Sequence, residues 1–373
     1  MQDFLPIYIT NVSVGNPPQP VSLLLDLTEN PVVLPSCQCE YSCEEGYHRY
    51  NSSLSSTYRP DGRFMGAKWG GVNYWGHVSR DTIHFADVNV PEQLFEEWTQ
   101  ATCYTFFCIR GGSESGFDGF LGLAPPWNRG RHSDVSNTLS LLLSNKLLSS
   151  PTFSLKLPRS PVDEGELRFG TSNPPLHASP PITLPVVNAT GEDQSWAADL
   201  WNVAATHITF NTPIPLHQSL PTNHIALFDS ATPWLILPSA LARNLTEVVG
   251  ASPGPYWFYN VPCSRRPELP TLTFGLGPGG GRNFTISGFD YTYEIDIPHI
   301  GLTCITTFQS SGEFYGDESE VTTLGSAFMK RFYSTFDMEK REIRCESFQM
   351  ENGLLLLLLL STKWFGALPP LFC

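Results

Sequence analysis

Two aspartates stand where a carboxylate is hard to keep. Asp26 closes the apolar run LLLDL, and Asp229, 203 residues later, closes ALFDS. A charge at the end of an apolar strand is costly unless it is hydrogen-bonded or paired. Taken singly, each reads as a turn or cap aspartate serving its own backbone amides. Their surroundings repeat, however. Residues 21–36 are VSLLLDLTENPVVLPS and residues 224–239 are HIALFDSATPWLILPS, so one offset sets Asp26 on Asp229 and Leu34-Pro35-Ser36 on Leu237-Pro238-Ser239. The same offset sets Leu121-Gly122 on Leu324-Gly325, and Ala124 on Ala327. Two segments sharing one long offset argue for two related lobes, not for a solenoid of small units. A pseudo-twofold axis between such lobes can bring equivalent carboxylates together. A pair of that kind resists double ionisation and holds one proton. Its charged member can take a proton from a water attacking a carbonyl, while the protonated member stabilises the developing oxyanion. That chemistry calls for no metal and no organic cofactor.

The elements that would position these groups are mostly strands. Ile7 to Val14, Val21 to Asp26, Thr82 to Phe85, Phe153 to Leu157 and Leu167 to Phe169 carry the pattern in the first half. Leu200 to Phe210, Ile225 to Asp229, Leu269 to Phe274, Phe284 to Ile286 and Phe332 to Asp337 carry it in the second. Only Thr138 to Leu148 and Ser239 to Val249 read as helices. With Gly 30 and Pro 32 among 373 residues, an all-β, turn-rich class is expected, and the length favours two cores over one. The expected division is a first lobe over 1–172, a second over 173–349 and a Leu-rich tail over 350–373. The boundary falls in FGTSNPPLHASPP.

From about Leu5 to Phe348 the chain resembles the pepsin-like aspartic proteases. The resemblance rests on VGNPPQPVSLLLD (Val14 to Asp26), YNSSLSSTYRPDG (Tyr50 to Gly62), FDGFLGLAPP (Phe117 to Pro126), FDSATPWLILP (Phe228 to Pro238) and LGSAFMKRFYSTFD (Leu324 to Asp337), in matching order and spacing. It implies a bilobal β fold, Asp26 and Asp229 as the catalytic pair, and an extended peptide or protein substrate bound between the lobes. A β-hairpin flap would close over that substrate. It also implies a Cys263–Cys304 disulfide in the second lobe.

The family's catalytic loops read Asp-Thr-Gly followed by Ser or Thr. The second loop, Asp229-Ser230-Ala231-Thr232, stays close to that, with Ser230 to interlock the loops and Thr232 to support the aspartate. The first, Asp26-Leu27-Thr28-Glu29, departs at every position after the aspartate. Leu27 has no hydroxyl, so Ser230 is expected to lose its partner across the loops. Thr28, a supporting residue of its loop, brings a β-branched side chain where the family has no Cβ, and is expected to crowd the substrate path. Glu29 either adds a third carboxylate to the pair or turns to solvent. In KWGGVNYWG the family's flap tyrosine falls on Trp69, followed by Gly70, with Tyr74 and Trp75 as alternative registers. Val33 stands where the family often packs a tryptophan against that tyrosine. These changes support a second function class, a pepsin-fold module that binds or inhibits without cleaving.

The compartment reads from cysteines and sequons. Nine cysteines (37, 39, 43, 103, 108, 263, 304, 345 and 373) and five Asn-x-Ser/Thr sites, at Asn11, Asn51, Asn188, Asn244 and Asn283, point to a secreted, vacuolar or cell-surface glycoprotein. Cys37, Cys39, Cys43 and His48 offer zinc ligand types, but the one-residue spacing suits disulfides better. Cys103 and Cys108 pair with each other or with that cluster. The start, Met-Gln-Asp-Phe-Leu-Pro, has no signal-peptide pattern and reads as trimmed or misassigned. Leu354 to Leu360 is too short to span a bilayer, so membrane contact is expected only if the tail is an anchor signal. A formal charge of −14 argues against nucleic acid, and a monomer is expected.

Overall fold

The computed structural model describes residues 6–39, 48–69, 72–85, 88–103, 117–128, 135, 137–160, 163–170, 180–190, 196–213, 215–254, 258–297, 301–312 and 321–347. The leucine-rich tail and the expected 172/173 boundary lie outside them.

Strands dominate, as the apolar alternation requires. A seven-stranded sheet in the first half runs in the order Ile9–Val14, Gln19–Asp26, Gly119–Gly122, Val32–Pro35, Val88–Cys103, Val72–Phe85, Arg59–Trp69. Its first strand also pairs with Val72–Phe85, at Ser13↔His84 and Val14↔Ile83. An eight-stranded sheet in the second half centres on Asn202–Phe210, Ile225–Phe228, Val321–Leu324 and Leu235–Leu237. A four-stranded sheet lies at Ser252–Pro253, Tyr259–Val261, Gly301–Thr306 and Thr292–Ile297. A five-stranded sheet joins the halves, because Thr152–Lys156 pairs with Phe332–Asp337 across Phe336↔Phe153. Beneath it Phe153 stacks on Phe336 at 4.7 Å, and Trp201 donates from Nε1 to the Leu123 carbonyl at 2.9 Å. The architecture is all-β and bilobal.

The repeat read from sequence reappears as register. Gln19–Asp26 runs parallel to Gly119–Gly122 with Leu25 opposite Leu121, and Ile225–Phe228 runs parallel to Val321–Leu324 with Phe228 opposite Leu324. Val32 then pairs with Leu121, as Leu235 pairs with Leu324. Each pair of partners differs by the same 203 positions.

Three elements differ from expectation. The first helix spans Thr138–Ser144, capped by Asn137 accepting from the Leu139 and Ser140 N–H groups, and it stops early because Lys146 takes a left-handed φ of 53°. The long strands Arg59–Trp69 and Val88–Cys103 were not anticipated, since proline and acidic residues punctuate both. The second helix, Ser239–Val248, lies as expected and buries Leu241, Ala242 and Leu245.

Candidate active site

Asp26 ends its strand fully buried. Three donors converge on its Oδ1: the Thr28 N–H at 2.8 Å, the Thr28 hydroxyl at 2.7 Å and the Glu29 N–H at 3.2 Å. The loop that carries them is held by its neighbour strand. Leu123 N donates to the Asp26 carbonyl at 2.7 Å and Ala124 N to the Glu29 carbonyl at 3.0 Å. Gly122 is required at this contact, because a Cβ there would sit 2.5 Å from the Glu29 carbonyl oxygen. Gly325 meets the same demand in the other lobe, where a Cβ would lie 2.2 Å from the Trp234 carbonyl oxygen. The repeat therefore preserves glycine at both positions for one steric reason.

Asp229 accepts from the Ala231 N–H at 2.9 Å, and the Thr232 N–H also bonds to it. The residue keeps some surface, yet its carboxyl is desolvated. Desolvation first, and then the charge of Asp26, push that carboxyl well above the ordinary carboxylate range, against the pull of the two amides. The structure thus brings the two predicted aspartates within electrostatic reach of each other.

The loops interlock from one side. Ser230 is not left without a partner, as the loss of a hydroxyl at Leu27 had suggested: its own hydroxyl donates to the Leu25 carbonyl in the other lobe at 2.7 Å. A backbone carbonyl accepts whatever the neighbouring side chain is, so Leu27 does not break this half of the lock. Leu27 itself is fully buried in the main core. Thr28, expected to crowd the substrate path, turns its hydroxyl back to Asp26. The Thr232 hydroxyl accepts from the Trp234 N–H at 3.4 Å, so the bond that supports Asp229 comes from the Thr232 backbone.

The hairpin expected to serve as the flap pairs Arg59–Trp69 with Val72–Phe85 up to Trp69↔Val72, which places Trp69 beside its tip. Gly70 lies outside the described residues. Val72–Phe85 also pairs with Val88–Cys103, from Phe85↔Val88 to Val72↔Cys103, with irregularities at Trp75/Gly76 and Asp81/Ile83. Below it Tyr74 meets Trp98 edge-on at 5.6 Å, and Val33 joins both in one apolar cluster. The aromatic partner of Tyr74 is therefore an indole from the neighbouring strand. Sequence reading missed Trp98, because its own position carries no motif and only the Pro35↔Trp98 register brings it near.

The cysteines and sequons resolve in part. Cys263 and Cys304 form the disulfide implied by the resemblance. Cys37 and Cys39 are each disulfide-bonded, which removes them as thiolate ligands, and His48 faces Asp118 through Nδ1 at 3.1 Å. Cys43 and Cys108 lie outside the described residues, and Cys345 is a buried free thiol. Asn11, Asn188, Asn244 and Asn283 are exposed. Asn51 is half-buried, and its Oδ1 caps a short turn through the Ser53 N–H at 3.1 Å.

Comparison with known proteins gives the same outline. The family model for eukaryotic aspartyl protease matches residues 7–347. Vacuolar protease A of Aspergillus fumigatus is 29% identical over 333 residues, covering 89% of this chain and 76% of that protein. Cathepsin D of Chionodraco hamatus is 27% identical over 343 residues, covering 90% and 80% respectively. Vacuolar protease A of Neurospora crassa is 27% identical over 331 residues, covering 89% and 76%. With a matched pattern spanning both lobes, and both aspartates at its repeated strand ends, the chain belongs to the eukaryotic aspartyl protease family.

Proposed function

We propose that this chain is an endopeptidase working in acid, with Asp26 and Asp229 as its catalytic residues. The observation that carries this reading is the asymmetry of the pair. Three donors on one oxygen fit Asp26 to carry the charge, while desolvation and that charge keep a proton on Asp229. In this division of labour Asp26 accepts a proton from a water as it attacks the peptide carbonyl. Asp229 donates toward the carbonyl oxygen as it becomes an oxyanion. Collapse of the tetrahedral species breaks the C–N bond: the amine leaves with the proton held by Asp26, and Asp229 recovers its proton from the former carbonyl oxygen. Peptide and water are consumed, and the two carboxyl groups return to their starting state.

The substrate is an extended peptide with apolar side chains at the cut, by analogy with the family, and the enzyme acts as a monomer of two lobes meeting near residue 172. Disulfides at Cys37, Cys39 and Cys263–Cys304, together with four exposed sequon asparagines, favour a secreted or vacuolar glycoprotein. Relatives named as vacuolar proteases support the same route. Among the described residues no helix is long and apolar enough to cross a membrane.

The test is cleavage of an apolar peptide across a pH series. Acid-dependent cleavage that a statine-type inhibitor blocks, and that Asp26→Asn and Asp229→Asn each abolish, is the expected result. A folded chain that binds the inhibitor without cleaving would make it a non-cleaving peptide binder instead.

A further inference from the structure

Three side-chain amides run in a line away from the Asp26 loop. Asn30, the residue after Glu29, is buried at 3% exposure. Its Nδ2 donates to Asn128 Oδ1 at 2.8 Å, and its Oδ1 accepts from Asn137 Nδ2 at 3.2 Å. Both ends of the line terminate on backbone. Asn137 Oδ1 accepts from the Leu139 and Ser140 N–H groups of the helix Thr138–Ser144, at 2.8 and 3.3 Å. Asn128 Nδ2 donates to the Ala198 and Asp199 carbonyls, each at 3.4 Å, just ahead of the second-half strand Asn202–Phe210. A backbone N–H can only donate and a carbonyl only accept, so the two ends fix which way every amide points. Reversing Asn30 alone would set donor against donor on one side and acceptor against acceptor on the other. The line meets the Asp26 loop a second time. Asn137 Nδ2 also donates to the Ala124 carbonyl at 2.8 Å, and Ala124 N donates to the Glu29 carbonyl at 3.0 Å. Glu29 N in turn donates to Asp26 Oδ1 at 3.2 Å. The chain just after that donor is thus held at the Glu29 carbonyl, through Ala124, and at the next side chain, through Asn30.

We propose that Asn30 is a positioning residue for Asp26: with Asn137 and Asn128 it anchors the Asp26 loop to a capped helix on one side and to the chain entering the second-half strands on the other, and so keeps the Glu29 N–H on the carboxylate. Its effect on rate rests on the proteolytic reading above. Asn30 touches no reacting atom and acts only through the loop backbone. The three asparagines line a cavity of about 290 Å³, so water can enter when one of them is shortened, and the variants are expected to fold.

Four variants of the full chain test this: Asn30→Ala, Asn128→Ala, Asn137→Asp and the Asn30→Ala/Asn128→Ala double. Asn137→Asp separates the two duties of that residue, because aspartate caps a helix as well as asparagine does but has no N–H for Asn30 or Ala124. Hydrogen exchange read by mass spectrometry is expected to speed at least about tenfold over residues 27–30 in each variant, while residues 138–144 keep the parent's protection. On an apolar peptide at acid pH, kcat is expected to fall about tenfold with KM within about twofold. The double is expected to fall no further than Asn30→Ala, because both substitutions break one link. Parent kcat and parent exchange in folded Asn30→Ala and Asn137→Asp would overturn the proposal. In an active parent, either change without the other overturns it as well, and so does a rise in KM at constant kcat, which would make Asn30 part of the substrate surface. If Asn30→Ala does not fold, Asn137→Asp and Asn128→Ala decide by the same readings. If the parent cleaves no peptide, the proteolytic reading fails by itself. Exchange over 27–30 then decides whether the asparagines hold the loop, and parent-like protection in the variants refutes it.

Discussion

Replacing Thr28 with valine isolates the least expected contact in the site. Valine keeps the branched shape and the backbone N–H, and deletes one hydroxyl that donates to Asp26 Oδ1 at 2.7 Å. Hydrogen bonds to charged groups contribute about 1.5–3 kcal/mol. Thr28 is half-buried, so water can partly replace the lost donor, and the low end of about 1.5 kcal/mol applies. If the hydroxyl stabilises the charge that Asp26 needs for water activation, that loss converts to roughly a tenfold fall in kcat/KM. The assay is steady-state cleavage of an apolar peptide at acid pH for the parent, Thr28→Val, Thr28→Ser and Thr28→Gly. Serine should retain most of the activity because it retains the donor. Glycine should lose at least as much as valine. A crowding role for Thr28 predicts the reverse order, with glycine faster than the parent. A Thr28→Val enzyme as fast as the parent, or a faster Thr28→Gly, would refute the reasoning.

Three further outcomes follow from the same geometry. Ser230→Ala leaves the Leu25 carbonyl without its cross-lobe donor and should cost about 1–3 kcal/mol in denaturant unfolding, with no change in the slope of the transition. The raised Asp229 carboxyl means that the folded chain binds a proton the unfolded chain releases. Its contribution to stability therefore falls as pH climbs from the ordinary carboxylate range through the raised value, and Asp229→Asn should flatten that decline in unfolding measured across pH; an unchanged slope would show that Asp229 is not the titrating group. Removing the Cys263–Cys304 bridge by double serine substitution reopens a loop of sequence separation 41, and should lower stability by up to about 4 kcal/mol in calorimetry.

What could be read from the chain alone was whatever the repeat writes twice. Asp26 and Asp229, and Gly122 and Gly325, follow one offset, and the parallel registers at Leu25↔Leu121 and Phe228↔Leu324, which only the structure shows, follow it too. What could not be read was built from backbone or from partners that register alone brings close. The Ser230 bond ends on a carbonyl, and carbonyls have no sequence signature. The strand Val88–Cys103 escaped notice because Glu96 and Glu97 look like surface residues. Glu97 is nonetheless buried, with the Ser36 and Ser79 hydroxyls donating to its two oxygens at 2.6 and 2.7 Å. Trp98 joins Val33 and Tyr74 in one apolar cluster from an adjacent strand, a grouping that no single position reveals. The same distinction runs through the two half-sites. Asp229 is held by backbone amides, which mutation at Ala231 or Thr232 barely alters, whereas Asp26 owes one of its three donors to a side chain. The first half-site is therefore the one through which substitutions tune the pair, and it is also the one in which this chain has departed from the family pattern.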